Sequence, residues 1–343
     1  METKEQGKRE SAELGNFEPN MPSENQVEHV NCKSAEQFLN ALSPRSKYLE
    51  GRLDRFSHYF IYRGHADDRW KLVPKALRLG ELLERPLYGW GTVQSAGGTD
   101  DEPVEEFFTE AGGETLRAWT NYDQVAAEWN ILKMFFKLAD LNGLPLPEDS
   151  QQLREAVDTS LVFLTEDKIR VWPPREFLSL LALAQHYGLP TRLLDWTRGS
   201  LIAAYFAAEE AARWQASKTT PEGVEHLAVW AFNGILPKLN KRSDEQLQRA
   251  KIEMVTAPGA SNPNLYAQKG LFTLFRSEQL DRRPMEELIV SLPSKYELVH
   301  FTLPIREAPE LLLLLSHQEI TGATVYPGYA GAAKAVLETR YYF

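Results

Sequence analysis

Three short polar motifs in the sequence carry side chains that could bind or transform a ligand. The first is Tyr62-Arg63-Gly64, which ends the aromatic and β-branched run 58–64, a pattern typical of a buried strand that stops at a turn. A guanidinium held near a core needs a carboxylate or phosphate for its five donors, and Gly64 would let a ligand approach the main chain closely. Arg63 is therefore a candidate anion-binding residue, and an internal ion pair with a carboxylate such as Asp195 is the alternative.

The second motif is the polar run QHYGLPTRLLDWT at 185–197, which lies between two apolar helical patterns. Polar groups inside a protein must bond one another or a ligand. A helix that begins directly after the run would place Asp195, Trp196 and Thr197 at its N-terminus, where a polar or anionic ligand is stabilised. Structural roles are the alternative, with Thr197 as the N-cap of that helix and His186 as a satisfied core histidine.

The third motif is Gln268-Lys269-Gly270, which enters a β-like run at 270–275. Gln268 could bond an amide or a ribose hydroxyl, and an ordinary turn before a strand is the alternative reading. The chain lacks a Walker loop, an HExxH helix, a GxSxG elbow and a dinucleotide glycine motif. Its seven histidines and one cysteine are dispersed, and no clustered carboxylates suggest a magnesium site. The sequence therefore predicts no metal.

Composition predicts a globular protein around these motifs. The chain has 343 residues, of which 43% are hydrophobic and 25% charged, with a formal net charge of -10 and a mean hydropathy of -0.40. This acidic balance argues against general binding to nucleic acid or to an anionic membrane, and no apolar run is long enough to span a bilayer. The lone Cys32 and the polar first residues, which lack a signal peptide, predict a cytoplasmic location.

The pattern along the chain predicts a single mixed α+β domain. Residues 1–28 hold seven acidic and three basic side chains without an apolar period, so we expect a disordered tail followed by the domain over 29–343. Regular folded structure is expected to begin at a short helix capped by Ser34. Residues 80–120 resemble an acidic surface insert. Core helices dominate the first part, among them one that Asn121 or Asp123 would cap and one over 199–216. Short β-like runs such as 297–304 predict a sheet in the C-terminal half.

Taken in order, the three motifs resemble the FRG domain family, named for an (F/Y)RG tripeptide near its start. The tripeptide at 62–64 corresponds to that feature, and the stretch 184–209 matches the family's most recognisable block nearly throughout. Residues 267–270 match its later glutamine-glycine element. The resemblance covers about 55–276 without the acidic insert, and it implies a domain of a family that is functionally uncharacterised.

A more distant resemblance is to ADP-ribosyltransferases. Their motifs follow the same order: an arginine at the end of a strand, a serine-threonine-serine strand followed by a helix, and a later catalytic glutamate. Aspartate and tryptophan at 195 and 196 replace the small hydroxyl residues here, and Gln268 stands about where the glutamate is expected. A neutral amide would bind a ribose yet stabilise positive charge poorly. The acid would then come from Glu278 or from Asp195.

These resemblances imply a function. We expect an enzyme with an ADP-ribosyltransferase-like arrangement that uses NAD as substrate, either modifying a macromolecule or hydrolysing NAD. It would act as a bacterial toxin or phage-defence effector, with an antitoxin or defence-system partner. The catalytic candidates are Arg63, Asp195 and Gln268. The NAD-binding candidates are Tyr62, Arg63, Gly64, His186, Trp196 and Thr197.

A non-catalytic sensor or interaction domain that binds a nucleotide-like ligand in the same pocket is the alternative. An enzyme should show an acid that faces the pocket near Arg63, whereas a binding domain needs only donors and apolar walls.

Overall fold

The structure is a computed structural model that describes residues 27–49, 60–78, 93–96, 105–109, 116–158, 169–233, 252–256, 263–277, 279–292 and 296–342. These residues form the mixed α+β fold that the sequence predicts. The strands in chain order are β1 (Val27–Asn31), β2 (Phe60–His65), β3 (Val93–Ala96), β4 (Glu105–Thr109), β5 (Leu116–Ala118), β6 (Leu193–Thr197), β7 (His226–Asn233), β8 (Ile252–Val255), β9 (Gly270–Phe275) and β10 (Glu297–Pro304).

The α-helices alternate with these strands along the chain. They are α1 (Ala35–Ala41), α2 (Asn121–Leu141), α3 (Gln151–Asp158), α4 (Leu178–His186), α5 (Ser200–Ser217), α6 (Pro263–Ala267), α7 (Met285–Val290), α8 (Ala308–Ser316), α9 (Gly322–Val325) and α10 (Tyr329–Glu338). Among the helices of the described ranges, none has the length and hydropathy needed to cross a bilayer.

A seven-stranded sheet with the order β1-β10-β7-β2-β6-β9-β8 organises the fold. β1 pairs with β10 in parallel, and the other neighbours are antiparallel. The junction of β2 with β6 is unusual because a single register pair joins them, Tyr62 with Thr197. β2 and β6 therefore separate beyond this pair, and a gap opens near the middle of the sheet.

Helix α5 packs directly on β2, and the small residues of both elements make this approach possible. Ala203 and Ala207 of the helix are fully buried. A Cβ atom on Gly64 would lie 2.0 Å from the Ala203 carbonyl oxygen and 2.9 Å from the Ala207 nitrogen. Helix α5 thus occupies the space that a side chain at position 64 would fill, so the packing of the helix by itself accounts for a glycine here.

The substitution Gly64→Ala should lower the free energy of unfolding by about 1–3 kcal/mol, because the added methyl group meets helix backbone that cannot rotate away. Urea denaturation followed by circular dichroism measures the loss. Gly199→Ala is the matched control, since its Cβ would meet only the side chain of Ile202, at 3.0 Å or more, and no helix backbone. Equal stability of Gly64→Ala and the wild-type chain would mean that α5 shifts freely on the sheet.

Regular structure is present upstream of the helix at which the sequence predicts it to begin. Helix α1 has the expected cap, because the Ser34 hydroxyl accepts a hydrogen bond from the Gln37 nitrogen at 3.3 Å. Strand β1 precedes it, however, and Val27 pairs with Leu298 of β10, so regular structure does not begin at Ser34. The last two residues of the expected tail, 27 and 28, belong to this strand, and residues 1–26 lie outside the described residues.

Two further expectations concern residues 80–141. Within the expected insert, the backbone of β3, β4 and β5 forms a small antiparallel sheet, and residues 80–92, 97–104 and 110–115 lie outside the described residues. Helix α2 follows as predicted, but its N-cap is Thr120, which forms a capping box with Asp123. The expected caps Asn121 and Asp123 are instead the first and third residues of the helix.

Candidate ligand cleft

The three sequence motifs meet in one cleft of about 1000 Å³. It opens beside the gap between β2 and β6, so the same local separation of strands that interrupts the sheet brings the motifs together. All the predicted site residues of the described chain line it: Tyr62, Arg63, Gly64, His186, Asp195, Trp196, Thr197 and Gln268. The spare acid candidate, Glu278, lies outside the described residues.

Arg63 and Asp195 form an ion pair across the gap, as the sequence predicts. Nη1 of Arg63 lies 2.6 Å from Oδ1 of Asp195 and donates a hydrogen bond of 2.8 Å to the Asp195 main-chain oxygen. The side chain thereby joins the two strands where their main chains no longer pair. The Arg63 side chain is only 14% exposed, whereas the Asp195 side chain is 60% exposed and open to the cleft.

The remaining donors of Arg63 show which part of the guanidinium is available to a ligand. Nε donates to Nε2 of His65 at 2.9 Å, and Nη1 donates to the Asp195 main-chain oxygen and contacts the Asp195 carboxylate. A guanidinium carries five N–H donors, so the two on Nη2 remain without a partner in the described part of the chain. These two donors are free to bond an anion in the cleft.

Gln185 holds the Asp195 carboxylate from the other side. Its Nε2 donates to Oδ1 of Asp195 at 3.0 Å, and its Oε1 accepts a hydrogen bond from the Thr191 hydroxyl. Gln185 and Arg63 thus both contact Oδ1. Gln185 lies within the polar run at 185–197, but nothing in the run distinguished it as a site residue.

The position of Asp195 differs from the prediction. Residues 193–197 form strand β6, and helix α5 begins only at Ser200 after the N-cap Gly199. The predicted placement of Asp195, Trp196 and Thr197 at a helix N-terminus was therefore wrong, as was the N-cap alternative for Thr197. The Thr197 hydroxyl instead donates to the Gln268 main-chain oxygen at 2.6 Å and accepts from the Gly199 nitrogen at 3.0 Å, which joins the second motif to the third.

Comparison with known families supports the resemblance to the FRG domain. Residues 58–216 match the sequence model of that domain. This part of the chain is an FRG domain. The match includes the tripeptide at 62–64 and the run at 185–197, while the third motif at 268–270 lies beyond it but lines the same cleft. No curated protein and no solved structure matches the chain.

The cleft of the FRG domain is locally basic although the whole chain carries a net charge of -10. Three acidic side chains line it, Asp195, Glu209 and Glu210. Six basic side chains line it as well: Arg63, Lys71, Lys75, Arg78, Arg213 and Lys334. This excess of positive charge favours an anionic ligand. Lysines carry no local sequence signature, so the sequence analysis did not find Lys71, Lys75 or Lys334.

The charge states of the central groups follow from their surroundings. The surrounding walls of the cleft partly desolvate the exposed Asp195 carboxylate, which acts to raise its pKa, but the charge and hydrogen bond of Arg63 outweigh this and hold the pKa below its ordinary value. Burial, followed by the charge of Arg63, lowers the pKa of His65 well below its usual range. At neutral pH the site therefore contains an ionised Asp195 and a neutral His65. Because Arg63 donates to Nε2, the His65 proton resides on Nδ1.

The other predicted residues contribute surfaces and donors rather than charge. Trp196 is buried, and its Nε1 donates to the Thr273 hydroxyl at 2.9 Å, so only its ring is available. Tyr62 is also buried, and burial raises its pKa to about 12. His186 is half-buried, with Nε2 3.3 Å from the Asn264 amide, and burial lowers its pKa. Among the residues that the sequence predicted for the site, a ligand would therefore meet charge only at Arg63 and Asp195.

Gln268 lies just after helix α6 rather than on strand β9. Its Nε2 is 3.4 Å from the Val325 main-chain oxygen, so the C-terminal part of the chain contacts the third motif beside the cleft. Within the described ranges no three His, Cys, Asp or Glu side chains are arranged to hold a metal ion.

Proposed function

We propose that the cleft binds NAD and that the FRG domain cleaves the bond between nicotinamide and ribose, passing ADP-ribose to a macromolecule or to water. The carboxylate of Asp195 is the observation on which we base this proposal. Arg63 and Gln185 fix its Oδ1, and the side chain is 60% exposed toward the cleft. An oriented, ionised acid beside an arginine suits the stabilisation of developing positive charge, which a binding domain does not require.

The size and charge of the cleft fit this substrate. A volume of about 1000 Å³ lies at the upper end of the range of roughly 300–1000 Å³ for ligand pockets, as an extended dinucleotide requires. The two free donors of Arg63 Nη2 suit a phosphate oxygen, because guanidinium groups bind phosphates through parallel hydrogen bonds. Lys71 and Lys75 add positive charge for the second phosphate.

The residues of the site have distinct roles in the reaction we propose. When the glycosidic bond breaks, its electron pair leaves with nicotinamide, and the ribose carbon develops positive charge. Asp195 stabilises that charge, and its Oδ2 accepts the proton of the attacking hydroxyl or water. Arg63 and Gln185 keep the carboxylate in place, and the amide of Gln268 contacts a ribose hydroxyl. Thr197 has a smaller part than the resemblance implies, since its proton is bonded to the Gln268 main chain.

The proposal also includes a cellular compartment and a biological role for this activity. The thiol of Cys32 is free and buried, which suits a reducing compartment such as the cytoplasm. If the acceptor is a macromolecule of a host cell, the transfer would serve a bacterial toxin or phage-defence effector whose antitoxin or defence partner restrains it.

Calorimetry with NAD and chromatographic detection of nicotinamide test the proposal. The wild-type chain should bind NAD and release nicotinamide when proteins or nucleic acids from a cell extract are added as acceptors. Arg63→Ala should weaken NAD binding by about tenfold to a hundredfold, because one charge-assisted contact of about 1.5–3 kcal/mol is lost. Asp195→Asn should still bind NAD but release no nicotinamide.

The matched control is Arg154→Ala, which removes an arginine whose partners, Asp140 and Asp149, lie on the surface. It should bind and turn over NAD as the wild-type chain does, and circular dichroism should show that all variants are folded. No binding heat at millimolar NAD, together with no nicotinamide release, would contradict the proposal. Binding without release in the wild-type chain would favour the nucleotide-sensing alternative.

A further inference from the structure

A second cavity, of about 540 Å³, lies beside the main cleft. Trp230 of β7 and His300 of β10 form part of its lining. Their neighbours along the strands, Ala231 and Val299, pack into the core beneath helix α5. Because successive side chains alternate between the faces of a sheet, the cavity lies on the face opposite α5. Trp70 and Lys71 line both cavities.

Three residues that line this cavity each keep a buried polar atom without a hydrogen-bond partner in the described part of the chain. These atoms are Nε1 of Trp230, Nε2 of His300 and Oε1 of Glu286. The residues are 4%, 6% and 8% exposed, respectively. Buried polar groups are nearly always paired in folded proteins, so three such partnerless atoms on residues that line one cavity make it a candidate site for a polar ligand.

The other polar atoms of these side chains are occupied, which fixes their orientation. Oε2 of Glu286 accepts from the Leu72 nitrogen at 3.2 Å, and Nδ1 of His300 lies 3.3 Å from Nδ1 of His29. The Trp230 indole stacks on the His300 ring with centroids 4.0 Å apart and 23° between the planes. The free atoms therefore belong to side chains that are held in place before any ligand binds.

The chemistry of the lining indicates what kind of ligand fits. An indole nitrogen can only donate, whereas a carboxyl oxygen accepts, so the ligand must carry both acceptors and donors. The exposed rings of Trp70 and His29 offer aromatic surface, on which flat π-systems stack. The formal charges of Lys71, Asp68 and Glu286 leave no positive excess for a phosphate, unlike the main cleft.

We propose that this cavity is a binding site for a neutral planar heterocycle of the nucleobase class. The proposal does not depend on NAD chemistry, because Trp230, His300 and Glu286 lie outside the main cleft. A ligand bound here would lie next to the main cleft through the shared residues Trp70 and Lys71.

Calorimetric titration with adenosine, guanosine, cytidine and uridine, each alone, tests the proposal with probes that carry no phosphate. At least one nucleoside should bind the wild-type chain. Trp230→Phe keeps the ring that stacks on His300 but removes the indole donor, and it should weaken that binding about tenfold or more. Glu286→Gln keeps an oxygen for the Leu72 nitrogen and replaces the free oxygen by an amide nitrogen. It should weaken nucleoside binding to a similar extent.

Two control variants separate this site from the main cleft and from general effects of charge. Glu287→Gln makes the same change at the adjacent, exposed position of helix α7 and should bind the nucleoside as the wild-type chain does. Arg63→Ala should do the same, whatever it does to NAD. If Trp230→Phe does not fold, Glu286→Gln decides the outcome.

Two results would overturn the proposal. One is the absence of binding heat for all four nucleosides at millimolar concentration. The other is binding that Arg63→Ala removes while Trp230→Phe and Glu286→Gln retain it, since the nucleoside would then occupy the main cleft. Neither result bears on NAD cleavage, which the Asp195→Asn experiment decides separately.

Discussion

Replacing Arg192 by methionine should lower the free energy of unfolding by about 3–5 kcal/mol, because it leaves a buried carboxylate without its counter-charge. Nε of Arg192 lies 2.6 Å from Oε2 of Glu128, and the two side chains are only 7% and 1% exposed. A second bond of 2.8 Å joins Nη2 to Oε1. Trp172 and Gln124 also donate to this carboxylate, but neither supplies positive charge.

The double variant Arg192→Met with Glu128→Gln distinguishes the cost of the charge from the cost of lost packing. The glutamine keeps an acceptor for Trp172 and carries no charge, so the double variant should be more stable than Arg192→Met alone. Arg283→Met is the control, since its ion pair with Asp281 lies at the surface with the arginine side chain 55% exposed, and such pairs contribute little. Urea denaturation of all four proteins, including the wild-type chain, gives the comparison.

A loss below about 1 kcal/mol in Arg192→Met would show that Glu128 becomes protonated or hydrated at little cost, against the buried-pair account. The expected large loss would also explain why an arginine follows Thr191 in the second motif. Arg192 attaches the run at 185–197 to helix α2, and the same run carries Gln185 and Asp195. The ion pair therefore stabilises the segment on which the cleft depends without lining the cleft itself.

The parts of the fold that depend on local pattern could be predicted from the sequence. Strands β9 and β10 have the bounds of the predicted β-like runs at 270–275 and 297–304, and helix α5 lies within one residue of the predicted helix. In these segments, side-chain periodicity and β-propensity agree with the tertiary environment. Local and global preferences then favour the same structure, which is the condition for predicting it from one segment.

Strands β1 and β6 could not be predicted because their structure depends on distant partners. Strand β6 has five residues, and its register is set by β9, where Leu194 pairs with Thr273. Its sequence, LLDWT, alternates poorly and is flanked by polar residues, so local reasoning assigned its end to a helix. Strand β1 is an edge strand that pairs with β10, and pairing across such a sequence separation has no local signature.

The residues of the candidate site also divide into those that the sequence predicts and those that only the folded structure identifies. The contact between Arg63 and Asp195 could be predicted, because a partly buried charge requires a partner and each residue follows an apolar run. Gln185 as the second support of Asp195 could not be predicted, and neither could Lys334, which reaches the cleft from helix α10. Glutamine and lysine are common surface residues, so only the folded arrangement distinguishes these two from the others.

Acidification should destabilise the fold between about pH 6.5 and pH 4, and His300 should account for about 3 kcal/mol of the loss. Burial, then the charges of His29 and Lys71, lower the pKa of His300 from 6.5 to about 4. Below pH 6.5 the unfolded chain binds a proton at this residue that the folded chain binds only near pH 4. The free energy of unfolding therefore decreases as the pH is lowered through this window, by about 1.4 kcal/mol per pH unit for one proton.

Other groups titrate nearby, so the prediction is made for a difference between two proteins. Burial raises the pKa values of Glu286 and Asp68, which line the same cavity. Acidification therefore stabilises the folded chain at these two residues, which opposes the effect of His300. The buried His65, whose pKa is lowered, acts in the same direction as His300. His300→Phe keeps a ring for the stack on Trp230 and removes only the His300 contribution.

Urea denaturation midpoints of the wild-type chain and His300→Phe, measured at intervals from pH 7 to pH 4, test this prediction. The stability difference between the two proteins should shift by about 3 kcal/mol in favour of the variant as the pH falls, because only the wild-type chain has this proton uptake on unfolding. His317→Gln, a histidine substitution at an exposed position, is the control.

Parallel pH curves for the wild-type chain and His300→Phe would mean that the folded chain binds the proton as readily as the unfolded chain. The ring of His300 would then be solvated in solution, and the partnerless Nε2 on which the nucleobase proposal partly rests would have water as its partner.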